Sequence, residues 1–108
     1  MPLLRPALAA AITGGLLATA PTAFASEQIA VKATCATCHT ATKKLVGPSW
    51  HDVALKYKGK ADAPKLLAER VRKGGKDVWG PVPMLPLGPD RINDADLKTV
   101  IAWVLKTP

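Results

Sequence analysis

Two cysteines and a histidine lie together in the segment Cys35-Ala36-Thr37-Cys38-His39, and the chain has no other cysteine. This is the C-x-x-C-H spacing of covalent c-type haem attachment. Two thiols separated by two residues can form thioether bonds to the two vinyl groups of one haem, and the imidazole that follows can bind its iron. The motif therefore predicts one haem c, attached through Cys35 and Cys38, with His39 as an axial ligand.

Three other chemistries use paired cysteines. A redox dithiol usually lies where a strand leads into a helix, and no alternating strand pattern precedes Cys35. A closed zinc site needs further ligands at suitable spacing, and His51 is the only other histidine. A disulfide between residues this close in the chain closes almost no loop and stabilises little. The motif favours haem, and an exported thiol oxidoreductase is kept as an alternative.

An iron held by one histidine is either open to small ligands or closed by a second side chain, and Met84 and His51 are the candidates to close it. Met84 lies in segment 80–86, Gly-Pro-Val-Pro-Met-Leu-Pro, where the prolines exclude a helix and predict a stiff extended loop. A lone methionine usually fills core space. Beside a covalent haem site, however, a methionine on such a loop suits a thioether ligand, whereas His51 has polar neighbours and is predicted at the surface.

The second ligand separates two classes of function. Ligation by both His39 and Met84 leaves no open site on the iron and indicates an electron carrier with no catalytic residues. An iron from which Met84 is displaced would indicate an enzyme or a gas-binding protein. Methionine ligation should also raise the reduction potential relative to two histidines.

The first 25 residues have the layout of a secretory signal peptide. Arg5 precedes a run without charged residues, 7–25, which ends in the small-x-small sequence Ala23-Phe24-Ala25. A membrane anchor is the alternative, but glycines and a proline interrupt the run, which falls short of the roughly 20 apolar residues of a spanning helix. We expect residues 1–25 to be removed, which leaves a periplasmic domain, 26–108, with no stable membrane insertion.

The size of the chain allows at most one small domain, which excludes large multidomain enzymes. It has 108 residues, 48% of them hydrophobic, and a formal charge of +7. Removal of 1–25 would leave 83 residues and, because Arg5 is the only charge lost, a charge of +6. A core this small is marginal without a disulfide, a metal or a bulky cofactor, and haem would supply that support.

Apolar spacing and capping residues predict an all-α fold, with about four helices wrapped around one haem. The first helix precedes the cysteine motif over 27–32. The next begins after Ser49, with Asp52 in its first turn, another runs from Asp62 to Gly74, and the last follows Asn93. The predicted inward side chains on the last three are Val53, Ala54 and Tyr57; Leu66, Leu67 and Val71; and Leu97, Val100, Ile101, Val104 and Leu105.

Four segments together carry a family resemblance. They are 35–39, Val46-Gly47-Pro48, the segment 78–84 (Val-Trp-Gly-Pro-Val-Pro-Met) and 102–105 (Ala-Trp-Val-Leu). In this combination the chain resembles the short bacterial class I cytochromes c. The resemblance implies a monomeric single-haem carrier that passes electrons between partner proteins in respiration, from a donor such as a quinol-oxidising complex to a terminal oxidase or nitrite reductase.

The resemblance also implies roles for individual residues. Beside the thioethers and the His39 and Met84 ligands, it implies that the Pro48 carbonyl accepts the imidazole N–H and that Arg70 and Trp79 bind a haem propionate. Without the family, Arg70 would fit equally well as a solvated residue of its helix. Leu87 departs from the pattern, because close members often place there an asparagine that donates to the methionine sulfur.

The basic charge points to acidic partners rather than to nucleic acid. Export and the absence of a recognition motif argue against nucleic acid. Two ionised propionates would lower the mature charge to about +4. Lysines could ring the haem edge and steer docking, although most would individually serve only to solvate their helices; they are Lys43, Lys44, Lys56, Lys58, Lys60, Lys73 and Lys76.

Overall fold

The computed structural model describes residues 10, 11, 14, 15 and 22–108. This part of the chain forms four α-helices, and a short 3-10 turn at Cys35–Thr37 follows the first of them. Within it, extended pairing is limited to two isolated bridges. The prediction of an all-α fold is confirmed. The helices are α1 (Thr22–Lys32), α2 (Trp50–Tyr57), α3 (Ala63–Lys73) and α4 (Asp94–Leu105).

Side-chain caps define the start of two helices. The Ser49 hydroxyl accepts a hydrogen bond from the amide of Asp52 at 3.1 Å, and Asn93 Oδ1 accepts one from Asp96 at 2.8 Å. Both satisfy amides that a helix leaves without an internal partner. The cap at Ser49 was predicted, and for Asn93 only the helix that follows it was predicted. Asp62 stands at the N-cap of α3, where the predicted helix begins, but its side chain caps no amide. The start of α3 relies instead on Pro64, whose fixed φ suits a first turn.

The core lies where α4 packs against the other three helices. The predicted inward residues of α2 are all buried, and so are those of α4 except for half-buried Leu105. Helix α3 differs, because Leu66 remains 37% exposed and Leu67 and Val71 are only half-buried. Its main helical neighbour is α4, so one contact surface cannot cover the whole apolar stripe.

Helix α1 is longer than predicted and spans the expected cleavage junction between Ala25 and Ser26. Most of the predicted leader, 1–25, lies outside the described residues. Ser26 is buried. Cleavage before it would remove residues 22–25 of α1 and leave 26–32, which lead into the cysteine motif. In the described part of the chain, no helix combines the length and the apolar character needed to cross a membrane.

Arg72 fastens the long loop 74–93 to α3. Its Nη1 donates to the carbonyls of Leu87 and Ile92 at 3.1 and 2.9 Å, and its Nη2 forms an ion pair with Asp94 at 2.6 Å. Sequence analysis did not single out this arginine. One side chain therefore joins α3, the loop and the start of α4.

Candidate haem site

The cysteine motif lies on a tight turn directly after α1. The amides of Cys38 and His39 both donate to the Cys35 carbonyl, at 3.1 and 3.0 Å, and Thr34 enters the turn with a φ of 70°. Both cysteines are unpaired and half-buried. The turn thus keeps both thiols and the histidine within one short, hydrogen-bonded segment, which is what double attachment of a single group requires.

Burial raises the pKa of the Cys35 thiol; its own backbone hydrogen bond lowers it by less, and the nearby Cys38 raises it by less again. Catalytic dithiols need the opposite, a thiolate stabilised by a lowered pKa. The direction at Cys35 therefore gives no support to thiol oxidoreductase chemistry.

Pro48 fixes the imidazole of His39. Its carbonyl lies 2.7 Å from Nδ1, and since a carbonyl can only accept, Nδ1 carries the proton and Nε2 keeps its lone pair. Burial lowers the pKa of His39, although the Pro48 carbonyl opposes this effect. The neutral imidazole is therefore favoured, with Nε2 free of a proton, as a metal-binding nitrogen must be.

Gly47 brings the backbone against the same imidazole. Its amide donates to the Cys38 carbonyl at 2.8 Å, and a Cβ built on Gly47 would come within 2.6 Å of His39 Cε1. No real side chain occupies such a position without displacing the ring. Glycine is thus required here by close approach to the histidine.

Met84 lies on extended backbone that is paired to the end of α3. The amide of Gly75 donates to the Met84 carbonyl at 3.0 Å, and the Met84 amide donates back to Gly75 at 2.7 Å. The preceding Gly74 has a φ of 68°, and a Cβ there would lie 2.5 Å from the Met84 carbonyl oxygen. The stiff extended loop predicted around Met84 is confirmed, and its position relative to α3 is set by these two glycines.

Arg70 lies beside the Met84 segment. Its side chain contacts Gly75 so closely that a Cβ there would collide with the guanidinium. The only ion pair among the described residues is that of Arg72, so the half-buried Arg70 has no carboxylate partner in this part of the chain. A cation in such a place fits an acidic group of a bound cofactor, because buried charges are normally paired.

Trp79 is 40% exposed, and the ammonium of Lys56 lies 5.1 Å from the centroid of its ring. This cation–π contact joins α2 to the loop that precedes Met84. The indole N–H makes no hydrogen bond to the described protein, which leaves it able to donate to a cofactor oxygen.

Several large apolar side chains of the loops and of α2 and α3 are exposed. Between 37% and 74% of each of these side chains is accessible: Leu45, Val46, Leu55, Leu66, Val78, Trp79, Val82 and Leu85.

The predicted site residues form two groups. Cys35, Cys38, His39 and Pro48 are joined by the hydrogen bonds of the first, while Arg70 and Met84 both contact Gly75 in the second. Trp79 lies in the loop before Met84, against Lys56. No hydrogen bond or ring contact within 22–108 joins one group to the other. His51 belongs to neither; it is half-buried on α2, and its amide donates to Ala41.

Two members of these surroundings, Gly75 and Trp50, were not predicted as site residues, and Lys56 was predicted only as a lysine at the haem edge, not as a partner of Trp79. The ring of Trp50 stacks on that of His39, with centroids 4.4 Å apart. The spacing of residues along the chain does not indicate these contacts, because each joins residues from separate segments. The Gly-Pro-Ser-Trp sequence at 47–50 was the available hint, since it places Trp50 two residues after the Pro48 acceptor.

A small helical fold with an unpaired C-x-x-C-H turn, whose histidine is held by a backbone carbonyl, fits a protein with one covalently attached haem. The family model described as Cytochrome c matches residues 25–108. The chain therefore belongs to the cytochrome c family, and it is an electron carrier rather than an enzyme. It carries one haem c through Cys35 and Cys38.

Individual relatives agree with this assignment. The chain is 58% identical over 81 residues to cytochrome c2 of Rubrivivax gelatinosus, covering 75% of this chain and 95% of the relative. It is 40% identical over 93 residues to cytochrome c-551 of Pseudomonas aeruginosa, covering 86% of each. The crystal structure of wild-type Nitrosomonas europaea cytochrome c552 is similar with a TM-score of 0.68 and 38% identity, over 76% of this chain and 99% of that one.

Proposed function

We propose that this protein is a periplasmic carrier of single electrons whose haem iron has His39 and Met84 as its two axial ligands. The observation that carries the proposal is the reciprocal hydrogen bonding of Met84 and Gly75, which holds a half-buried methionine on rigid, extended backbone. The Pro48 carbonyl supports the other ligand, because it leaves Nε2 of His39 as the free nitrogen. When bound, the haem supplies an iron that alternates between the ferrous and ferric states.

The remaining site residues hold the cofactor. Cys35 and Cys38 form the thioether bonds, and Pro48 keeps the orientation and basicity of His39. Arg70 pairs with a haem propionate, and the Trp79 indole donates to one. The unpaired charge of Arg70 and the free N–H of Trp79 support these two roles. Leu87 offers no donor to the sulfur of Met84, so we expect the ligand to depend on its backbone restraints.

An optical spectrum of the purified holoprotein tests the ligands. We expect a c-type pyridine haemochrome and, in the oxidised protein, the weak band at the red end that is typical of iron bonded to methionine sulfur. Met84→Ala should abolish this band and keep the haemochrome. Leu85→Ala is the matched control, because Leu85 is the neighbouring side chain and is 74% exposed. A band that survives in Met84→Ala would overturn the assignment of Met84.

We propose acidic redox proteins as partners, with a quinol-oxidising complex as donor and a terminal oxidase or nitrite reductase as acceptor. All seven lysines named in the sequence analysis are exposed in the structure and can steer such an encounter. Stopped-flow reduction and oxidation of the monomeric holoprotein by purified candidate complexes tests the proposal. Slow, non-saturating exchange with every member of these classes would contradict it.

We propose that export removes residues 1–25. The mature chain would begin at Ser26, inside α1 and seven residues before Ala33, which is buried in the core. Intact mass and N-terminal sequencing of the protein from the periplasmic fraction test this proposal. A retained leader, or recovery of the haem protein from the cytoplasm alone, would contradict it.

A further inference from the structure

The imidazole of His39 is covered on one face by the indole of Trp50. The two ring centroids are 4.4 Å apart and the planes differ by 20°, which is a stacked arrangement. Aromatic pairs of this kind favour a defined separation and orientation, beyond the area that they bury. The contact therefore restricts how far the imidazole can turn.

Several backbone bonds keep Trp50 in place. Its own amide donates to the Thr40 carbonyl at 2.9 Å, and the next amide, of His51, donates to Ala41 at 3.0 Å. These bonds tie the start of α2 to the residues that directly follow His39. The stack is thus built into the backbone and does not depend on the side chains alone.

A third ring contacts Trp50 from the side of the core. Trp103 of α4 meets Trp50 edge to face, with centroids 6.0 Å apart and planes at 65°. Both indoles are half-buried. Trp50 is therefore packed between Trp103 of α4 and the imidazole of His39.

The stack and the Pro48 hydrogen bond restrain different motions. The Pro48 carbonyl anchors one ring atom, Nδ1, at 2.7 Å, which still allows the ring to turn about the direction of that bond. A flat partner on the ring face opposes this turning. Gly47 also lies against the ring: a Cβ built on it would come within 2.6 Å of His39 Cε1. Little space therefore remains for another orientation of the imidazole.

We propose that Trp50 is a positioning residue for the electron-transfer site, because it sets the plane of the His39 imidazole. The inference rests on the proposed ligation of iron by His39. With haem bound, the plane of the His39 imidazole would help to set how unpaired spin spreads over the porphyrin in the ferric state. Partners of a ligating histidine commonly fix its orientation and basicity; here an aromatic face contributes to that role.

Proton NMR of the oxidised holoprotein tests the proposal, because the hyperfine shifts of the four haem methyl groups depend on the orientation of the axial ligands; the red band shows in each variant that Met84 still ligates. Trp50→Phe retains a flat ring and should keep the parental order of methyl shifts. Trp50→Leu removes the flat face and should change their order or compress their spread. If Trp50→Leu gives no holoprotein, Trp50→Met keeps apolar contact without a flat face and should show the same change.

Trp103→Leu is the matched control. It removes a half-buried indole that contacts Trp50 but makes no ring contact with His39. We expect it to lower the midpoint of thermal unfolding while the methyl shifts keep their parental order. Parental shifts in Trp50→Leu would overturn the proposal, and so would equal changes in Trp50→Leu and Trp103→Leu, because general loosening would then explain both.

Failure of this inference is distinguishable from failure of the proposed function. The red band of the oxidised parent protein reports Met84 ligation whether or not Trp50 affects the methyl shifts. A parent protein with the band, whose Trp50 variants keep parental shifts, retains the proposed function and loses the positioning role. Absence of the band in the parent overturns the His39 and Met84 ligand pair itself.

Discussion

Gly75 and Met84 exchange two backbone hydrogen bonds, of 3.0 and 2.7 Å, although nine positions separate them in the chain. The pair closes the base of a loop whose other members are mostly exposed. The proposed sulfur ligand is therefore positioned through its own backbone. Substitutions that disturb this pair should act on the iron without touching the haem attachment.

Gly74→Ala should release Met84. A Cβ at Gly74 would lie 2.5 Å from the Met84 carbonyl and 2.9 Å from the Pro86 nitrogen, and the φ of 68° with ψ of −172° is a conformation that suits glycine almost alone. We expect a loss of about 1–3 kcal/mol in unfolding free energy from backbone strain, with a further cost of the collision. Guanidinium unfolding and the intensity of the red band are the measurements.

Gly59→Ala is the control that separates the backbone strain of a positive φ from the steric collision expected in Gly74→Ala. Gly59 has a φ of 76°, yet a Cβ there would meet nothing within 4 Å. It should lower stability while the red band keeps its parental intensity. Equal loss of the band in both variants would contradict the role assigned to the Gly74 contact with Met84.

Gly47→Ala should impair the histidine ligand. The added Cβ would come within 2.6 Å of His39 Cε1, so either the imidazole or the loop before α2 must move. We expect a lower yield of holoprotein and a changed low-spin spectrum, measured by the Soret band and electron paramagnetic resonance. Gly88→Ala is the control, since its closest contact, at 2.8 Å, is the mobile carboxylate end of Asp90. A parental spectrum for Gly47→Ala would show that the ring has room to spare.

Arg72→Ala should cost more stability than Asp94→Ala. The arginine supplies hydrogen bonds to two carbonyls as well as to Asp94, and its loss leaves those carbonyls without this donor, at about 1–3 kcal/mol. The Asp94 side chain is 91% exposed, so its ion pair alone should contribute about 0–1 kcal/mol. Urea unfolding of both variants measures the difference. Equal losses of unfolding free energy would mean that the hydrogen bonds from Arg72 to the two carbonyls contribute nothing.

Electron transfer with an acidic partner should slow as salt is added. The formal charge of +7, or +6 without residues 1–25, lies partly on exposed lysines, and salt screens such charges over about 8–10 Å. We expect the second-order rate to fall steadily with ionic strength in stopped-flow traces, and an uncharged small-molecule reductant to show no such fall. A rate with the acidic partner that stays constant with salt would remove the steering role of the lysines.

Local sequence features predicted the elements that depend on neighbouring residues. The motif at 35–39, the cap at Ser49 and the extended segment around Met84 each follow from a few adjacent side chains. Asp62 stands at the predicted N-cap of α3, but its residue type does not reveal that its side chain caps no amide, because a capping bond also depends on backbone angles. Leu66 was misjudged as inward because helical spacing identifies an apolar stripe but not how much of it a neighbour covers.

Residue types and their spacing were enough to predict the chemistry: two thiols and an imidazole at the spacing that haem attachment requires, and Met84 among prolines. The surroundings of those groups depend on contacts between distant segments. Stacking of Trp50 on His39, the approach of Lys56 to Trp79 and the fastening of the loop by Arg72 all join segments distant in the chain. Such contacts have no local signature, because they arise only when the burial of apolar faces against α4 brings the helices together.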